Sequence, residues 1–187
     1  DCAFVQAPQA VRNADAGYIA AGATCQQALF YEHVCPGLAA GGRAICVGSN
    51  CLVRMAAIDS IGGWPEDTVT EDVVASWRLH SRGWSSRWVD RVLARGLAPL
   101  SLGVFLAQRT RYAEGGVGLL FAALRPGGGA PLRTRFDYIF LGSFHLFGLT
   151  YLVPLLGWAV LAPASSGAGL GPLGGAILLA WLGARVV

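Results

Sequence analysis

Val69-Thr70-Glu71-Asp72-Val73-Val74-Ala75-Ser76-Trp77-Arg78-Leu79-His80-Ser81-Arg82-Gly83-Trp84 is the stretch on which the fold turns. Thr70 is a good helix-capping residue, and the two carboxylates after it suit the positive end of a helix dipole. Gly83 supplies a stop, so the stretch predicts a helix over 71–82. Working outward, 86–93 alternates as a strand does. On the other side, 54–61 reads as a short helix ended by Gly62-Gly63, and 44–53 (AICVGSNCLV) as a strand broken at Gly48-Ser49-Asn50. Further back, CAFVQ over 2–6 is an apolar run closed by Ala7-Pro8, a core strand. Asn13 and Asp15 offer cap chemistry before a helix over 16–33, after which Pro36-Gly37 and Gly41-Gly42 mark loops. Strands alternating with helices predict an α/β layer architecture.

Beyond Pro99 the character changes. Residues 100–124 surround a polar patch at Gln108 to Glu114 with Leu102, Phe105, Leu106, Leu119, Leu120 and Phe121. This pattern predicts a helix lying in a membrane interface with its polar side turned toward the preceding domain. A Gly-rich break over 126–131 follows, then an apolar stretch over 136–161 that is long enough to span about 30 Å of hydrocarbon. Residues 163–172 form a small-residue turn, and 173–187 begin a second span. Arg125, Arg133 and Arg135 precede the first span and Arg185 ends the second, which places both ends in the cytosol and the turn outside. The expected organisation is a cytosolic domain over 1–99, interface helices over 100–135, and a transmembrane region over 136–187 in the inner membrane.

Composition agrees with that division. Apolar residues make up 54% of the chain and charged residues 13%, roughly half the charged share usual for a soluble domain. From Tyr138 to Ala184 there is no Asp, Glu, Lys or Arg. A net charge of +3 is too mild to argue for nucleic acid. All 14 basic residues are Arg, which suits bidentate grips on phosphate and equally suits a composition rich in Gly and Ala. The 5 cysteines include no C-x-x-C pair, so zinc spacing is poor and reduced thiols are expected. The chain starts at Asp1 without Met or a signal-like leader and reads as an excised stretch of a longer protein.

Two clusters carry candidate chemistry. Asp72 stands at a loop-to-helix junction, where a carboxylate can face a cleft while the helix start holds its backbone. There it could take the proton of an acceptor hydroxyl as that oxygen attacks the anomeric carbon of a sugar. Glu71 beside it would raise its basicity by like-charge repulsion. The plainer reading is that Thr70-Glu71-Asp72 is only a helix N-terminus. Gln108, Arg111, Tyr112 and Gly115 share one helical face. Arg111 could neutralise a diphosphate, and Gln108 and Tyr112 could hold a sugar; the plainer reading is a polar face reaching to lipid headgroups.

Order along the chain separates these readings. VQAP (5–8), ALFYE (28–32), ICVGSN (45–50), IGGW (61–64), VTED (69–72), LHSRGW (79–84), GLAP (96–99) and QRTRY (108–112) follow one another as in the processive family 2 glycosyltransferases. The chain resembles that family, bacterial cellulose synthase most of all, over nearly its whole length. The resemblance implies the second half of a GT-A-like (Rossmann-like) domain that leads into interfacial and transmembrane helices. It implies Asp72 as catalytic base, with Thr70 and Glu71 shaping the acceptor end. It implies Cys46, Gly48, Ser49, Gln108 and Tyr112 at the acceptor, and Arg111 on the nucleotide diphosphate. His80 receives no role and reads as packing or surface. Tyr112 stands where the family has Trp, and still stacks. The family's D-x-D motif, which holds UDP through Mg²⁺ or Mn²⁺, is expected upstream of Asp1, so this stretch alone should lack complete donor binding. The implied partners are a nucleotide sugar (UDP-glucose), a β-glucan acceptor, membrane lipid and accessory export subunits. Two alternatives stay open: a non-processive enzyme acting on a lipid or polyprenyl carrier, and a catalytically inactive membrane interaction module.

Overall fold

A computed structural model describes residues 1–126, 129–146 and 156–157. It divides into two units, Asp1–Gly142 and Ser143–Val187. The first is mixed α/β. Strand β1, Cys2–Gln6, is central to a three-stranded sheet, with β3 (Cys51–Val53) antiparallel on one side and β4 (Ser85–Trp88) parallel on the other. Pro8 cannot donate to a ladder and closes β1. The chain then forms β2, Gln9–Val11, which pairs in parallel with β5, Ala94–Gly96. Sequence reading anticipated neither of these two short strands.

The helices are α1 (Tyr18–Leu29), α2 (Cys35–Ala40), α3 (Met55–Ser60), α4 (Glu71–Ser81), α5 (Leu102–Leu124) and α6 (Leu132–Ser143). Between α1 and α2 runs a π-helical turn, Phe30–Val34. Pro36 therefore lies in the first turn of α2 rather than in a loop, a place where its missing N–H costs no bond. The strand expected over 44–53 is confined to Cys51–Val53. Upstream of it the backbone finds side-chain partners instead: Cys46 N–H donates to Ser76 Oγ (2.9 Å) and Val47 N–H to Gln6 Oε1 (3.1 Å). Likewise, the strand expected over 86–93 ends at Trp88.

Ala3, Phe4, Cys46, Ala57, Ile58, Ile61, Ala75 and Leu79 form the main core, so β1 is packed by α3 and by the inward stripe of α4. A second cluster joins Ala20 and Ala23 of α1 to Ala98, and a third joins Leu119 and Ala123 of α5 to Tyr138 of α6. Helix α6 crosses α5 at backbone contact. A Cβ added to Gly142 would lie 2.7 Å from both the Gly116 carbonyl oxygen and the Leu120 nitrogen. An ion pair between Arg43 and Asp137 also holds α6. The span expected over 136–161 thus begins inside a helix whose Tyr138 is buried against α5. Positions 147–155 and 158–187 lie outside the described residues. Among the described residues no helix is both long and apolar enough to cross a membrane.

His80, 2% exposed, is part of a buried polar chain. Ser86 donates its hydroxyl proton to the Ala44 carbonyl (2.7 Å), so its oxygen can only accept from His80 Nε2–H (2.8 Å). Nδ1 must then accept from the Tyr138 hydroxyl (2.7 Å), and the ring is neutral. Burial drives its pKa from 6.5 down to about 3, with the Arg43 charge adding to the effect. Between those values the unfolded chain binds a proton that the folded chain refuses. Stability is therefore full above about pH 6.5 and declines as pH falls toward about 3. Thermal unfolding midpoints should fall across that window, and His80→Gln should flatten the dependence.

Candidate active site

The site's floor is the loop between Cys46 and Cys51. Gln6, at the end of β1 and wholly buried, accepts from Val47 N–H and donates through Nε2 to the Ser49 carbonyl (2.7 Å). Asn50 N–H₂ reaches the Pro8 carbonyl (3.3 Å), and Ser49 Oγ donates to Gln9 Oε1 (3.1 Å). The bend is tight enough to put Gly48 at φ 74° and Asn50 at φ 54°. Cys46 does not open to the surface. It is 3% exposed and belongs to the core cluster against which Cys51 packs. Its backbone N–H is spent on the buried Ser76 hydroxyl, so Cys46 tethers the loop and does not face an acceptor.

Asp72 sits in the first turn of α4, facing that loop. Its Oδ1 accepts from Val73 N–H (2.8 Å), while Oδ2 would lie 3.0 Å from a Cβ placed on Gly48. Burial lifts its pKa above the usual carboxylate range, against the Val73 N–H bond; Glu71 lifts it further, and Arg111 opposes. Thr70 does not cap the helix as expected. Its side chain makes no cap bond, and Oγ1 is buried without a partner. The reason is packing against α5, where a Cβ on Gly115 would meet Thr70 Oγ1 at 2.1 Å. A glycine at the last position of the shared face lets α5 lie against the start of α4.

That contact brings the second cluster to the first. Arg111 is near enough to Asp72 to stabilise its charged form. Arg109 packs its guanidinium between the rings of Phe105 and Tyr112, 5.0 Å from each centroid, and donates to Gln108 Oε1 (3.3 Å). Among the described residues neither arginine is in ion-pair contact with a carboxylate, so both retain capacity for an anion. Tyr112 is partly exposed, and Tyr31 feels both it and Asp72. Tyr31 in turn packs on Trp88, ring centroids 5.7 Å apart, and the Trp88 indole N–H is buried without a partner.

The structure therefore gathers Gly48, Thr70, Glu71, Asp72, Arg111 and Tyr112 into one locus, with Gln108 and Ser49 at its edges and the Cys46 side chain withdrawn. Gln6, Ser76, Tyr31 and Trp88 were not singled out from sequence. Gln6 lies in VQAP and Tyr31 in ALFYE, while Ser76 falls between VTED and LHSRGW and Trp88 lies outside the motifs, but nothing in their spacing marks these four. A groove of about 780 Å³ lined by Glu66, Asp67, Trp77, Glu114 and Gly118 lies beside the Thr70–Gly115 contact and does not include Asp72. No group of three His, Cys, Asp or Glu among the described residues converges as a metal site. The resemblance implies that the ligands for Mg²⁺ or Mn²⁺ lie upstream of Asp1.

Gly48→Ala should cost about 1–2 kcal/mol for the left-handed backbone, plus the clash with Asp72 Oδ2. In an Asp72→Ala background only the backbone part should remain. Denaturant midpoints of the four proteins measure both parts.

Residues 1–185 match the family described as Glycosyl transferase family group 2. The cellulose synthase catalytic subunit (UDP-forming) of Komagataeibacter sucrofermentans is 34% identical over 108 residues, 57% of this chain and 14% of that protein. The cellulose synthase 1 catalytic subunit (UDP-forming) of Komagataeibacter xylinus is 33% identical over 108 residues, again 57% and 14%. The poly-beta-1,6-N-acetyl-D-glucosamine synthase of Staphylococcus aureus (strain COL) is 37% identical over 65 residues, 35% of this chain and 16% of that protein. The aligned stretches span 14% to 16% of the length of these curated relatives.

Proposed function

The chain belongs to glycosyl transferase family group 2, and from that premise we propose that Asp72 is the base of an inverting sugar transfer from a nucleotide sugar to a growing β-linked polysaccharide. The observation that carries the reading is the Asp72 carboxylate, raised in basicity by burial, set against Gly48 and within the field of Arg111. An acceptor hydroxyl seated on the 47–50 loop gives its proton to Asp72. Its oxygen attacks the anomeric carbon from the face opposite the diphosphate. The bond from that carbon to phosphate oxygen breaks, and the leaving diphosphate takes the electron pair beside Arg111, whose guanidinium offsets the growing charge. Tyr112, with Tyr31 and Trp88 behind it, offers an aromatic wall for the acceptor sugar.

The donor is UDP-glucose and the product a β-glucan in this reading, supported by the two relatives named as UDP-forming cellulose synthases. A second reading, an N-acetylglucosamine donor, draws support from the staphylococcal relative. The enzyme is proposed to be processive and multi-pass in the inner membrane, with the catalytic unit cytosolic, lipid around its spans and export subunits as partners. The charge-free run from Tyr138 to Ala184 supports the membrane part.

Asp72→Asn in the full-length protein should lower transfer by about 10²–10⁴-fold with donor binding unchanged. The wild-type rate should fall on the acid side at a pH higher than an ordinary aspartate would give, because the base must be ionised. Radiolabelled nucleotide sugar and product sizing provide the readouts. Retained turnover in Asp72→Asn refutes the base, short adducts refute processivity, and a wild-type protein that transfers no sugar is the inactive module.

A further inference from the structure

We propose that Ser76 is a positioning residue that fixes the gap between the Asp72 carboxylate and the acceptor loop. The proposal rests on the reading of Asp72 as base. Ser76 lies one helical turn after Asp72 and is wholly buried. Its hydroxyl donates to the Asp72 carbonyl (2.9 Å) and accepts from Cys46 N–H (2.9 Å). Among the described residues this is the one side-chain hydrogen bond that joins α4 to the loop. At the loop's other end Gln6 holds Val47 and Ser49 to β1. Between these two anchors lies Gly48, whose α-carbon faces Asp72 Oδ2.

The geometry assigns Ser76 more than a core-filling part. Its oxygen touches the backbone of the base on one side and the first residue of the loop on the other, so one atom sets their separation. Behind α4, the Tyr138 hydroxyl is fixed through His80 to Ser86. The Ser76 hydroxyl is held in one orientation by the Asp72 carbonyl it donates to and the Cys46 N–H it accepts from. Removing it leaves Cys46 N–H buried and unpaired, and the loop can then recover a partner only by moving toward water, away from Asp72.

The charges that Asp72's titration senses are Glu71 and Arg111, while Tyr31, Cys46 and Cys51 face it and feel its charge in turn. Ser76 is uncharged. A change in the pH profile on its substitution therefore reports a change in the carboxylate's surroundings rather than a lost charge.

The test uses the full-length protein with a nucleotide-sugar donor and compares wild type, Ser76→Ala, Ser76→Cys, Ser76→Thr and a core control, Ile58→Val. In Ser76→Ala, kcat should fall by about 10–100-fold, with donor KM unchanged and the acid limb of the rate profile moved to lower pH as Asp72 gains water. Ser76→Cys keeps the volume but bonds weakly, and should show the same defect if the alanine variant fails to fold. Ser76→Thr keeps the hydroxyl and should restore most of the rate. The proposal is overturned if Ser76→Ala or Ser76→Cys transfers at the wild-type rate. It is overturned equally if their loss tracks thermal stability as in Ile58→Val with an unmoved pH limb. An inactive wild type, or an active Asp72→Asn, instead defeats the underlying reading and is recognised separately.

Discussion

A single buried carboxamide underlies the arrangement. Gln6 ends the central strand, and its side chain donates to the carbonyls of Ala7 (2.7 Å) and Ser49 (2.7 Å) while accepting from Val47 N–H. These groups lie where the chain leaves sheet geometry, so no ladder can pair them. Each buried group left unpaired would cost about 1–3 kcal/mol. By pairing them, Gln6 lets the loop bulge away from the sheet toward α4 without penalty. The close approach of Gly48 to Asp72 follows from that displacement.

The remainder of the locus depends on close approach rather than on strong bonds. Thr70 fills the space over Gly115, and in doing so gives up the capping bond that its position would suggest. The result is electrostatic as much as steric. Asp72 is placed between a carboxylate neighbour and a cation from another helix, two influences of opposite sign, and burial tips the balance toward the protonated form. A carboxylate in such surroundings is more basic than one in water, yet it keeps a cation near by for charge that develops elsewhere.

The fold was legible where local chemistry decides it. β1, α3, α4 and α5 follow from apolar runs, glycine stops and polar starts, and the structure keeps them within a few residues of expectation. It was illegible where partners come from afar. The 44–50 segment has strand-like composition, but its N–H groups bond Gln6 and Ser76, so it is not a strand. β2 and β5 are too short to signal themselves and exist because they pair with each other. His80 meets Tyr138, 58 positions away, which no local pattern announces. The same division holds at the site. Asp72, Arg111, Tyr112 and Gly48 could be picked out because they lie in motifs whose order along the chain resembles that of a known family. Gln6, Ser76, Tyr31 and Trp88 could not, because common residues acquire a role only through where they stand.

The crossing of α6 over α5 bears on how this protein can change over generations. A side chain at Gly142 would press on the Gly116 carbonyl and the Leu120 backbone, atoms that every residue type carries. No compensating substitution on α5 can clear that space, since there is no side chain there to shorten. Most core positions drift in pairs, a larger residue tolerated once a neighbour shrinks. Position 142 is closed to that trade, and its intolerance should be independent of genetic background while the two helices cross as they do.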